Sequence, residues 1–189
     1  RRVATEQLEF RQLLTGDFVW VNAVGSTGGD QATDVTTDSA GNVYTTGVFS
    51  GTVDFDPGSG VTNLTSPGGT AGMFVTKVNS NGVLIWARNI LVGGGFGSAH
   101  PASIAVDSAG NVLTTGLFQG TVDFDPGVGV TNIASTLDYD AFVSKLDSAG
   151  NFVWAKSVGG GGPSVQTDRG TGIAVDSSGN VYTVGLFSG

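Results

Sequence analysis

AVDSAGNVLTTGLFQG (Ala105–Gly120) is a strand, a turn and a returning strand in one stretch. Ile104 to Val106 supply a short apolar run, and Gly110 with Asn111 can take the positive φ that a tight hairpin needs. Val112 to Phe118 then lead back through residues that favour a pleated, half-buried strand. The same sentence is written twice more, as TTDSAGNVYTTGVFSG (Thr36–Gly51) and AVDSSGNVYTVGLFSG (Ala174–Gly189). Asp38, Asp107 and Asp176 open its turn, 69 residues apart at each step.

A second recurring phrase precedes each of these: GDFVW (Gly16–Trp20), GVLIW (Gly82–Trp86) and GNFVW (Gly150–Trp154). The period is therefore about 68 residues, with its slack confined to glycine-rich loops. The units are residues 16–81, 82–149 and a partial copy at 150–189, behind a distinct leader at 1–15.

Within one period, SIAVD is a first strand and NVLTTGLF a second. After an insertion, DAFVSKLD (Asp140–Asp147) alternates apolar and polar groups, and SAGN turns into FVWAKSV. Four strands joined in sequence make an antiparallel meander. So small a sheet is oily on both faces and is unstable alone, so successive copies must stack. An all-β fold of four-stranded β-propeller blades follows. A parallel β-helix would repeat over far fewer residues, and a β-sandwich would repeat at this length only by accident. A closed ring takes about four to eight blades, and about two and a half are present. Continuation beyond Gly189 is the simplest expectation. A ring shared between chains, or an open array whose edges invite self-association, would also satisfy the count.

Composition narrows the function. Of 189 residues 32 are glycine, and 16 acidic against 8 basic residues leave a net charge of −8. Such a chain repels nucleic acid and anionic lipid. There is no cysteine, which excludes disulfides and thiolate metal sites. No apolar run is long enough for a spanning helix, so membrane insertion is not expected.

The run YDAFVSKLDSAGNFVWAKSVGG (Tyr139–Gly160), followed by GIAVDSSGNVYTVGLFSG (Gly172–Gly189), resembles the bacterial β-propeller repeat abbreviated SBBP, found in secreted and surface proteins. The resemblance covers most of residues 16–189 and implies no general enzymatic activity. The first copy departs from the pattern, with Gly72 in place of the aspartate at Asp140 and Asn79 in place of Asp147. The leader is similar to a segment that precedes the folded part of many exported planctomycete proteins, through Arg1, Arg2, Glu6, Leu8, Glu9, Arg11, Leu13 and Leu14. Together the two resemblances imply an extracellular or cell-surface location.

Chemistry has few carriers. GTVDFDPG occurs at Gly51–Gly58 and at Gly120–Gly127. Strand alternation puts Val53 and Phe55 on one face and Asp54 and Asp56 on the other. The pairs Asp54/Asp56 and Asp123/Asp125 offer oxygen-only ligands that would suit Ca²⁺, the one cofactor in view. The competing reading is a type II turn, with Pro57 and Gly58 at its centre, Asp56 at its first position and Asp54 solvating the outer face. Asp38, Asp107 and Asp176 read as turn residues, and Trp20, Trp86 and Trp154 as packing groups rather than sugar platforms. The runs VGGGFG (Val92–Gly97) and VGGGGP (Val158–Pro163) lack the lysine of a phosphate loop and read as inter-blade loops. The single histidine, His100, precedes Pro101 in what reads as another such loop, and no nucleophile motif accompanies it.

The expected function is non-catalytic: a scaffold, or a surface that binds protein or carbohydrate through its loops. A calcium-stabilised array and a fragment of an extracellular hydrolase are the alternatives.

Overall fold

The computed structural model describes residues 20–66, 71–92, 98–135, 138–160 and 167–187. The leader at 1–15 lies outside them, as do residues 93–97 and 161–163 of the two glycine runs. Every regular element among the described residues is a β-strand. The first sheet takes β1 (Gln31–Thr37), β2 (Val43–Phe49), β5 (Gly72–Val78) and β6 (Leu84–Val92) in that order. The second takes β7 (Ser98–Val106), β8 (Val112–Gln119), β11 (Asp140–Leu146) and β12 (Phe152–Val158). A last hairpin joins β13 (Arg169–Val175) to β14 (Val181–Leu186). All the pairings are antiparallel, so the blades are the meanders that the repeat requires.

Between the second and third strands of each full blade lies a small hairpin that the sequence reading passed over as an insertion. It is β3 (Thr52–Asp54) with β4 (Asn63–Thr65) in blade one, and β9 (Thr121–Asp123) with β10 (Asn132–Ala134) in blade two. β9 also pairs with β6, through Leu91↔Asp123 and Val92↔Val122. The second insert thereby extends the sheet of blade one and ties the two blades along their outer rim.

The main core lies between blades. Tyr44, Met73, Val75, Trp86 and Ile90 of blade one meet Ile104, Val112, Phe118, Phe124, Phe142 and Leu146 of blade two. Each sheet buries one alternate set of side chains against its neighbour, as two-faced strands must. Trp86 is 6% exposed, packs edge-on against Tyr44 and donates from Nε1 to the Ser148 carbonyl at 3.2 Å. Arg88 donates from Nε to the Gly150 carbonyl at 2.9 Å. Trp20 and Asn22 repeat this stitch on blade one, to the carbonyls of Ser80 and Gly82 at 2.9 and 2.8 Å. Trp20 and Trp86 thus each clamp onto a turn of the blade that follows them.

The hairpin turn is the same throughout. Gly110 N–H donates to the Asp107 carbonyl and Asp107 N–H to the Asn111 carbonyl, with Gly110 at φ 80°. This is the three-residue loop with a left-handed glycine. The glycine alone supplies the required positive φ, while Asn111 Nδ2 donates to Asp107 Oδ2 at 2.7 Å. Asp107 Oδ1 accepts from the N–H groups of Ala109 and Asn111, and Lys145 Nζ reaches Oδ2 at 3.0 Å. Burial, the largest single influence, pushes the Asp107 carboxyl up. The Asn111 amide, Lys145 and the two backbone N–H groups outweigh it and bring the pKa down to about 2. A folded pKa below the unfolded 3.8 contributes stability above pH 3.8 that is lost as pH falls toward about 2. An Asp107→Asn variant should therefore melt lower at neutral pH and show a shallower acid limb across that window in a Tm-versus-pH series.

One expectation is corrected. His100 and Pro101 lie in β7, not in a loop. Proline is tolerated there because β7 is the edge of its sheet and its register breaks between Pro101 and Ser103, a bulge that needs no ladder N–H. The same break occurs at Ala32/Asp34 and Gly170/Gly172. The strands of Trp86 and Trp154, β6 and β12, are the fourth strands of blades one and two.

Candidate functional site

The inserts form the most distinctive surface. Gly51 takes φ 76° to start the first, whose base closes through Ser66 N–H to the Gly51 carbonyl and Gly51 N–H to Ser66 Oγ. Gly120 and Ser135 do the same in the second. Val53 and Phe55 point inward at 2% and 3% exposure, where Phe55 packs against Phe49 and Phe74. Asp54 and Asp56 point outward, as the alternation implies.

The Asp-Pro-Gly segment is not a type II turn. Seven described glycines have positive φ, and neither Gly58 nor Gly127 is among them. Asp56 Oδ1 takes the Gly58 N–H at 2.7 Å, and Asp125 Oδ1 takes that of Gly127 at 2.7 Å, so an Asx turn replaces it. Nor does Asp54 merely solvate a face. Its Oδ1 accepts from the N–H groups of Asp56 and Thr62 at 3.0 and 2.8 Å, which bridges the two sides of the loop. Those bonds, Thr62 first, hold its carboxyl below the usual range. In the second loop Asp123 Oδ1 accepts from the N–H groups of Asp125 and Thr131 at 3.1 and 2.7 Å.

A Cβ on Gly60 would fall 2.1 Å from Asp56 Oδ2, and one on Gly129 2.2 Å from Asp125 Oδ2. Each loop is thus folded tightly around its second aspartate. Among the described residues, no group of three or more acidic or histidine side chains converges. All four candidate carboxylates act as stitches in the loop.

Between the blades, at the foot of the second insert, lies a cleft of about 580 Å³. Its walls include Arg88, Asn89, Asp125, Val128, Asn151 and Phe152. Arg88 is spread against the turn of blade two, with its guanidinium carbon 5.5 Å from the Trp86 ring. Val128 stands fully exposed at the lip, with Val130 at 70% and, on the first insert, Val61 at 72%. Val128 and Val130 stand on one insert, two residues apart, at the mouth of this cleft. The sequence reading missed them. Their signal lay in the copies themselves, where PGSGVTN at Pro57–Asn63 becomes PGVGVTN at Pro126–Asn132.

Residues 153–186 match the family model described as Beta-propeller repeat. The match runs from β12 through β14, so it spans a blade boundary. The chain is 26% identical over 125 residues to an uncharacterized WD repeat-containing protein of Acanthamoeba polyphaga mimivirus, covering 59% of this chain and 8% of that protein. It is 30% identical over 117 residues to the regulatory protein FlaEY of Caulobacter vibrioides, covering 62% of this chain and 12% of that one. The matches thus take in about a tenth of each relative's length. The blades and the match over residues 153–186 agree on a β-propeller fold.

Proposed function

We propose that the chain is a non-catalytic scaffold of a secreted or cell-surface protein, and that the rim cleft binds a protein or glycan partner. One observation carries this reading: the second insert holds the exposed Val128 and Val130 beside an inter-blade cleft whose lining includes Arg88 and Asp125. Repeat relatives support an interaction role rather than chemistry, and the leader's similarity to an export-associated segment supports the location. Fusion of the leader to a reporter, followed by cell fractionation, tests the location. Retention of the reporter inside the cell would refute it.

Binding is tested by presenting the chain to arrays of purified surface proteins and polysaccharides. A Val128→Glu/Val130→Glu variant should lose any hit at least tenfold while its Tm stays unchanged, since exposed valines contribute little to the fold. Equal binding by the variant would move the site elsewhere.

Backbone N–H groups close each loop through Oδ1 of its two aspartates, and on this reading the loops fold without a cation. Millimolar EDTA should leave Tm unchanged and a Ca²⁺ titration should give no heat. A calcium-dependent rise in Tm that Asp54→Ala/Asp123→Ala abolishes would assign a metal to these loops instead.

A further inference from the structure

Every wall of the rim cleft comes from the stretch between Leu64 and Phe152: β6 contributes Arg88 and Asn89, the second insert Asp125 and Val128, and the turn into β12 Asn151 and Phe152. Its volume of about 580 Å³ lies within the span of small-ligand sites, about 300–1,000 Å³. One polar group in it lacks a partner. Asn89 is 9% exposed and donates from Nδ2 to the Thr65 carbonyl of the first insert at 2.9 Å, yet its buried Oδ1 takes no hydrogen bond among the described residues. A buried acceptor in that state is costly, so it marks a place for a donor from outside. The departure of the first copy from the repeat makes room for it. A Cβ on Gly72 would lie 2.9 Å from Asn89 Oδ1, and blade two carries Asp140 in place of Gly72 and Ser157 in place of Asn89.

The neighbouring groups decide what kind of donor fits. Asn151 spends its Nδ2 on Asp147 Oδ2 at 2.9 Å, which leaves its amide oxygen to offer, and Asp125 adds a carboxylate. Arg88 supplies the opposite charge. Its Nε, Nη1 and Nη2 donate to the carbonyls of Gly150, Ala87 and Ala149 at 2.9, 3.0 and 2.8 Å, so three of the five guanidinium N–H groups are committed among the described residues. The others can donate to a ligand. A carboxylate ligand would meet Asp125 and two amide oxygens, and an ammonium would meet Arg88, so neither charge suits the cleft. Hydroxyl groups both donate and accept, and they suit it. The amides of an extended peptide lie along straight edges, whereas these three acceptors stand on three separate segments, which favours a ring of hydroxyls. Val128 and the half-buried Phe152 offer an apolar surface for the C–H face of such a ring.

We propose that the rim cleft binds an uncharged sugar unit, one hydroxyl donating to Asn89 Oδ1 and others to Asp125 and Asn151, with Arg88 donating in return. This rests on the reading of the rim as a binding surface and names the class of its ligand.

The probes are neutral oligosaccharides of glucose, galactose, mannose or N-acetylglucosamine, titrated one at a time into the intact chain. Saturable binding of at least one is expected, with amide NMR shifts gathered at residues 87–89, 125–129 and 150–152. An Asn89→Ser chain, which carries the residue of blade two, should bind the hit about tenfold more weakly, the scale for losing a buried hydrogen bond. Replacing a sugar unit of the hit by its uronic acid should also weaken binding by about tenfold, because the added charge faces Asp125. The surface change Val128→Glu/Val130→Glu should weaken it too, and it leaves the fold intact should Asn89→Ser disturb the first insert. Failure of every neutral sugar, shifts gathered on another face, full binding by a folded Asn89→Ser chain, or a preference for the uronic acid would each overturn the proposal. If a surface protein binds instead and is lost on Val128→Glu/Val130→Glu, the rim reading stands and the sugar assignment falls. A sugar hit that both variants leave intact sinks the two together.

Discussion

Replacing Gly116 by alanine should destabilise the protein by about 3 kcal/mol, a fall in Tm of roughly 6–12 °C for a chain of this size. A Cβ there would sit 2.1 Å from the His100 carbonyl oxygen and 2.8 Å from Pro101 Cα. Neither atom belongs to a flexible side chain, so the backbone bulge of β7 must move. The bulge in turn supports the contact between blades. Asp34 Oδ2 of blade one accepts from Ser103 Oγ at 2.8 Å and from Ile104 N–H at 2.9 Å, just beyond the register break. Gly47→Ala should cost as much, since the Gln31 carbonyl oxygen lies 2.0 Å from its Cβ position. Gly29, with open space around it and no positive φ, is the control whose alanine variant leaves Tm unchanged. Denaturant unfolding of the three variants decides the matter, and a Gly116→Ala protein as stable as Gly29→Ala would show that the bulge carries no constraint.

Phe142→Ala should cost about 3–5 kcal/mol, the range for emptying a buried aromatic site. Phe142 is fully buried, its ring 5.1 Å from Phe124 and 6.4 Å from Phe118, and blade one covers that cluster. Its counterpart Phe74 packs in the same way against Phe49 and Phe55, at 6.3 and 5.0 Å. That cluster, however, borders a groove of about 240 Å³ lined by Trp20, Val43, Thr45, Val78 and Leu84. A cavity there can collapse or admit water, so Phe74→Ala should cost clearly less. Equal losses in a chemical denaturation series would mean that the far face of blade one is as well covered as the face between the blades.

The difference between these two phenylalanines shows where sequence reasoning stops. Both sit in the same phrase of the repeat, MFVTKV and AFVSKL, and both are legible as inward-facing strand residues. Which of them is sandwiched depends on the blade that lies against it, a contact between residues about 50 to 100 positions apart. Asp54 fails for a related reason. Its outward direction followed from alternation, but its bonds to Thr62 N–H formed only once the chain had turned back through the insert. His100 was placed in a loop because proline usually breaks strands, and a sheet edge with a bulge removes that objection. The rim valines went unnoticed because a lone valine in a glycine-rich loop carries no periodic signal.

By itself the sequence determined the local grammar: the four main strands of each blade, the left-handed glycine in each hairpin, and the aspartate that caps it. These follow from steric and hydrogen-bonding preferences that act within about five residues. It also determined that the units must stack, since two oily faces on so small a sheet leave no other solution. Only the tertiary structure decided that the second insert bridges two sheets, and that TTG needs glycine to clear a bulged carbonyl. Each of those is a close approach between distant segments, fixed by packing geometry that no local preference encodes.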